Sequence, residues 1–200
     1  MKSMQVKPLL LLMIAIFLLS CNTQTKEPNT IEKEVIKEIY KPMDVQVLKT
    51  QYDLHAGLFS KNLEGISDEE ASKRIDNTNS LSWIVGHTVW IQYSLGQLTG
   101  QIVENPYEKQ FAFGKQFDPD AQYPTLSKMK KDWDVLSPKI SEAIAKLTEE
   151  QLNAKAPFPI PFPEQTIRGL YAFQMHHLGY EFGQIGLYRK FLGKSPFNYQ

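Results

Sequence analysis

The chain has 200 residues, and its 22 basic side chains balance 22 acidic ones. That neutrality, with no stripe of Lys or Arg, argues against a nucleic-acid partner. A hydrophobic share of 42% with 12% aromatics argues against a disordered chain and suffices for one core, so the length reads as a single domain with additional sequence.

The first segment is a targeting signal by its pattern. Lys2 and Lys7 give a positive start, and the apolar run "PLLLLMIAIFLLS" leads directly to Cys21. A membrane-spanning helix needs ~20 apolar residues, and this run has instead the size of a signal-peptide core. The stretch "LLSC" resembles the lipobox of bacterial lipoproteins. Cleavage before Cys21 and lipidation of its thiol are therefore expected, with residues 1–20 as the signal peptide. Cys21 is the only cysteine, so no internal disulfide can form. The alternative is a cleavable signal peptide in which the cysteine is accidental. Asn22 in place of an aspartate after the cysteine points to an outer-membrane anchor facing the periplasm. Residues 21–43, polar at first and ending near Pro42, read as a lipidated tether.

From Asp44 the pattern becomes helical. Val45, Leu48, Tyr52, His55 and Leu58 share one face and predict a helix to about Leu63. "SDEE" at Ser67–Glu70 is a capping box for a short helix. Asn79 or Ser80 then caps a helix whose middle, "WIVGHTVWI", is apolar all round and centres on His87, and Gly100 stops it. Residues 101–124 read as a long loop, a lid or the edge of a pocket. Thr125 caps a third helix with the stripe Leu126, Met129, Trp133, Leu136, Ile140, Ile144 and Leu147, and with Pro138 as a point of kinking. "TEEQ" at Thr148–Gln151 is a second capping box. "PFPIPFP" at Pro157–Pro163 reads as a stiff polyproline connector with Phe158, Ile160 and Phe162 packed on the domain. Thr166 caps the last helix, which runs to about Leu192 and stops at Gly193. No strand pattern competes. The expected fold is all-α, a four-helix bundle over residues 44–194 with a tail at 195–200.

The last helix carries an anomaly. On a wheel of ~100° per residue, Leu170, Phe173, Tyr188 and Leu192 fall near His177, and Glu181 and Gln184 lie on the same side. A carboxylate on a core stripe needs a partner. Two ligands one turn apart suit a divalent ion, and His87 is the histidine at the centre of another buried helix. The competing account pairs Glu181 with Arg168, Arg189, Lys190 or a neutral histidine.

Two segments together resemble the DinB-like superfamily. They are "NSLSWIVGHTVWIQYSL", with its asparagine, tryptophan and histidine, and "TIRGLYAFQMHHLGYEFGQIGLYRKFLGK", where Gly183-Gln184-Ile185 fixes the register. The likeness spans about Asp44 to Lys194. It implies a four-helix bundle holding one divalent metal on three histidines, with zinc or nickel the foremost ions and iron or manganese also suitable. By position, the ligands are His87, His177 and Glu181, the last standing where the family has histidine. His176 lies ~100° away from His177. Two histidines and a carboxylate remain a competent ligand set, though the added charge makes a bound water less acidic.

The resemblance further implies an enzyme, with thiol transferases, isomerases and hydrolases as relatives. Tyr180 and Gln184 are supporting catalytic candidates beside the metal. For an envelope-anchored protein the expectation is hydrolysis of a small molecule by a metal-activated water. The alternatives are a lipid-anchored protein that binds a small ligand or metal without turnover, and a metal-less structural bundle. Expected partners are a small molecule and, through the lipid, a membrane; a homodimer stays open. Replacing Cys21 with Ser should abolish metabolic labelling by a fatty acid and block normal processing, and unchanged labelling would remove the lipoprotein reading.

Overall fold

The computed structural model describes residues 44–102, 104–161 and 163–195. The signal segment, Cys21, the tether, Phe162 and residues 196–200 of the tail lie outside the described residues. Those described belong to the unit that begins at Met43, and they form seven helices without a strand: α1 (Val45–Asn62), α2 (Asp68–Ser72), α3 (Leu81–Leu98), α4 (Glu108–Phe111), α5 (Leu126–Ala145), α6 (Glu149–Asn153) and α7 (Ile167–Phe191). Among these residues no helix is long and apolar enough to cross a membrane.

Local chemistry sets the helix starts. Side chains of Asp44, Ser80, Thr125 and Thr166 accept hydrogen bonds from the first-turn amides of α1, α3, α5 and α7. Ser67 and Thr148 close reciprocal capping boxes on the two five-residue helices α2 and α6. Gly100 and Gly193 follow α3 and α7 with φ of 71° and 67°, the left-handed conformation that ends a helix. Pro138 is accommodated inside α5.

The four long helices close into a ring. Helix α1 packs on α5 and α7, and α3 packs on the same two, so α1 and α3 face each other across the core. Phe59 stacks on Trp133 at 4.1 Å between ring centres, and Phe182 of α7 leans on both. A buried polar chain threads the same interior: Tyr52 Oη donates to Gln92 Oε1 at 2.8 Å, and Gln92 Nε2 donates to Ser137 Oγ at 2.8 Å. Every link is satisfied, so the chain fixes the register of α1, α3 and α5 without an unpaired polar group.

Two expected features differ. The stretch 101–124 contains the single-turn α4, whose Phe111 is fully buried, together with buried Tyr107. It is packed because Tyr107 Oη donates to Asp132 on α5 at 2.7 Å and Trp90 Nε1 donates to Glu108 at 2.7 Å. Among the described residues of the proline segment only Ile160 is buried, while Phe158 is 54% exposed. Gln165 explains the shape: its side-chain amide exchanges two hydrogen bonds with the backbone of Ile160, closing the loop into a bend.

The C-terminal end of α1 is held by α7. Buried Arg189 donates from Nη1 to the carbonyls of Asn62 at 2.7 Å and Glu64 at 2.9 Å, which have no amide partner at a helix end. Replacing Arg189 with Met should lower unfolding free energy by about 3 kcal/mol, the range of lost charged hydrogen bonds plus stranded carbonyls. The same change at exposed Lys190 should leave the urea midpoint nearly unmoved.

Candidate metal centre

His87 lies in the middle of α3, whose residues are buried on nearly every side. Trp83 and Trp90, four residues before it and three after, stack on its two faces at 5.2 and 5.3 Å. Its Nδ1 lies 2.7 Å from the carbonyl oxygen of Phe111. A carbonyl only accepts, so Nδ1 carries the proton and Nε2 keeps its lone pair. Burial pushes the His87 pKa down; the Phe111 carbonyl and Glu181 oppose this, and His177 adds to it. The ring is therefore neutral at pH 7, the state a metal ligand requires.

The Phe111 carbonyl reaches His87 because residue 86 has no side chain. A Cβ on Gly86 would lie 2.2 Å from the Phe111 ring, well inside contact distance. Gly86 thus lets α4 press against α3, and α4 in turn fixes the imidazole. The stretch 101–124 is thus more than a loop: α4 is a buttress under the histidine, while the expected pocket edge is found in Phe113, 86% exposed at the rim of one cavity, and in Phe117, Pro119, Ala121, Tyr123 and Pro124, which line a smaller one.

Helix α7 brings the other two groups. His177 Nε2 is 3.2 Å from Glu181 Oε1, one turn apart, and Gln184 Nε2 donates to Glu181 Oε2 at 2.7 Å. The rings of His87 and His177 are 5.3 Å apart at 52°. One ligand atom from each of His87, His177 and Glu181 falls within 4.8 Å of the others. Ligands of a tetrahedral zinc at 2.0–2.2 Å stand roughly 3.4 Å apart, so small rotamer adjustments close the set on one ion. The fit is good in kind as well as in distance. Two of the three members have their outer atom engaged, His87 by a carbonyl and Glu181 by an amide, as ligands of a metal usually do.

The structure places the remaining candidates differently. The buried face of α7 centres near Leu178, not His177, because the helix packs on both α1 and α3. His177 sits at the border of that face, its side chain 21% exposed, whereas Glu181 is 3% exposed. Gln184 joins the site through Glu181. Tyr180 is 64% exposed, on the far side of His177 from Glu181 around the helix. His176 is exposed as well. The ion-pair account of Glu181 loses its arginines: Arg168 pairs with Glu149 at 2.6 Å, and Arg189 is committed to backbone carbonyls. Among the described residues no Lys or Arg forms an ion pair with Glu181.

His177 also lines a cavity of about 600 Å³ between α3, α7 and the Pro157–Pro161 segment. Sequence reasoning missed this cavity, the Phe111 carbonyl and the role of Gly86. A glycine directly before a histidine in an apolar helix was the visible signal for a close approach at that point.

A family model described as the DinB superfamily matches residues 51–185 of the chain, from the second turn of α1 to within two turns of the end of α7. No curated protein matches.

Replacing Gly86 with Ala should push Phe111 away and weaken zinc binding by about 10–100-fold, the usual effect of losing an outer partner of a ligand histidine. Competition with a chromophoric chelator reads this directly. Adding Phe111→Leu should recover much of the affinity, since it relieves the clash and keeps the backbone carbonyl. Gly57→Ala, where a Cβ meets nothing within 4 Å, should leave affinity unchanged.

Proposed function

The chain belongs to the DinB superfamily, and on that footing we propose that His87, His177 and Glu181 hold one divalent metal in an envelope enzyme that hydrolyses a small molecule. The observation that carries the reading is the buried Glu181 carboxylate, which faces two histidines and a glutamine and, among the described residues, pairs with no Lys or Arg. Burying a carboxylate costs several kcal/mol unless a charge compensates it, and a divalent ion compensates it here. Zinc or nickel suits two imidazoles and a carboxylate best, with iron and manganese next.

When bound, the ion supplies Lewis acidity toward a carbonyl oxygen or a water at the position that three protein ligands leave open. The chain's own residues do the rest. The Phe111 carbonyl keeps the His87 proton on Nδ1 and so aims Nε2 inward. Gln184 holds Glu181 Oε2, leaving Oε1 for the ion. Trp83 and Trp90 cover both faces of His87 and keep bulk water off that side, which strengthens electrostatic interactions within the site. Partly exposed His177 leaves one approach, from the cavity it lines. Absence of charge on that cavity wall favours a neutral substrate over an anionic thiol cofactor. The anchor at Cys21 is part of the proposal and rests on the lipobox-like "LLSC".

Purified protein should contain close to one equivalent of metal by elemental analysis. Ala at His87, His177 or Glu181 should each strip it, and Ala at His176 should not. Glu181→His should retain or tighten zinc and nickel, since imidazole suits both. Hydrolysis of small neutral esters and amides should fall in step with metal content across these variants. Protein that purifies metal-free, with a melting temperature indifferent to all four ions, would overturn the metal reading.

A further inference from the structure

The cavity beside His177 has a composition that selects its occupant. At about 600 Å³ it matches a small molecule of drug size. Leu95, Leu98, Leu170 and Phe173 form its helical walls, and Phe158 and Ile160 form the loop side. Its described lining includes no Lys, Arg, Asp or Glu. A charged ligand would leave its solvation shell there without compensation.

One polar group in this lining is out of balance. Gln174, three residues before His177 on α7, is 8% exposed, and its Oε1 is buried without a hydrogen-bond partner. Buried amide oxygens are normally paired, and leaving one unpaired costs about 1–3 kcal/mol. The oxygen is buried in the orientation seen, and the terminal torsion of Gln is broad and roughly two-fold, so a ligand that offers a donor would draw it round to the cavity that Gln174 lines. The cavity therefore combines apolar walls, one acceptor in need of a donor and, at His177, the candidate metal centre.

We propose that this cavity binds an uncharged, largely apolar small molecule carrying one N–H or O–H donor, which hydrogen-bonds to Gln174 Oε1 while the apolar body fills the space between α3, α7 and the Pro157–Pro161 loop. The inference deepens the enzyme reading by naming the substrate class, and it rests on that reading only for what happens at His177. Binding itself needs no metal. Specificity follows from the same atoms: a ligand without the donor leaves Oε1 unpaired, and a charged one is desolvated against leucine and phenylalanine.

Three photoreactive probes of one shape separate these effects. 4-Acetamidobenzophenone is neutral with an N–H, its N-methyl derivative is neutral without one, and 4-benzoylbenzoate is anionic. The full chain, stripped with chelator and held in mild detergent, is irradiated with each, and the label is mapped by peptide mass spectrometry. The expected result is saturable labelling by the acetamide at cavity residues such as Leu98 and Phe173, with the N-methyl and anionic probes at least about tenfold weaker, as one lost buried hydrogen bond predicts. Gln174→Met should weaken the acetamide to the level of the N-methyl probe and leave the latter unchanged. Leu98→Trp, from a half-buried position on the wall, should abolish labelling by both neutral probes. Label scattered outside the cavity, equal labelling by the anion, or a Gln174→Met variant that labels like the parent would overturn the proposal. Because the readout is taken without metal, it stands or falls apart from the metal content measured above.

Discussion

The fold is organised around a carboxylate that has been taken out of water. Glu181 lies on the inner half of α7, 3% exposed, in a helix whose arginines are committed elsewhere. A packed bundle tolerates such a group only if the facing helix offers something for it. Helix α3 offers His87, and α7 offers His177 and Gln184 from neighbouring turns. The α3–α7 contact is therefore two things at once: a side of the four-helix ring and the two halves of the proposed ligand set.

Structural roles and site roles are linked through the segment between α3 and α5. In an isolated helix His87 could rotate or take either tautomer. The carbonyl of Phe111 removes both freedoms, and Gly86 provides the space for it to do so. Helix α4 is in turn tied to α3 by Glu108 and to α5 by the neighbouring Tyr107. The orientation of one imidazole thus depends on contacts spread over three helices, which is how a site on rigid elements keeps its geometry.

Polarity falls off sharply on leaving the site. His87 and Glu181 are enclosed, His177 stands at the border, and beyond it the described walls are mostly apolar and carry no Lys, Arg, Asp or Glu. The α7 face explains the sequence of environments. Its centre near Leu178 looks into the core, its border at Glu181 and His177 looks toward α3, and Phe173 and Gln174 one turn earlier meet the proline loop. The exchange between Gln165 and the Ile160 backbone closes that loop, so a connector that reads as a spacer becomes a wall of the cavity.

Sequence alone determined the parts governed by near neighbours. Caps at Asp44, Ser67, Ser80, Thr125, Thr148 and Thr166 are set by side chains within three residues of the amides they satisfy, and the stripe of α5 follows from its own period. The pairing of His177 with Glu181 was legible for the same reason, since residues four apart must meet on a helix. His87 was legible as a charged-capable ring in an all-apolar segment. Tertiary structure decided what depends on rotation of one helix against another. It moved the centre of the α7 face from His177 to Leu178 and turned Tyr180 to solvent, because a helix packed on two neighbours buries the sector between them and a wheel drawn from one helix cannot place that sector. It also folded 101–124 under His87 and bent the proline segment over the cavity. Those arrangements rest on a backbone carbonyl at Phe111 and a missing side chain at Gly86, and neither a carbonyl's partner nor the use of an empty space is written in residue order.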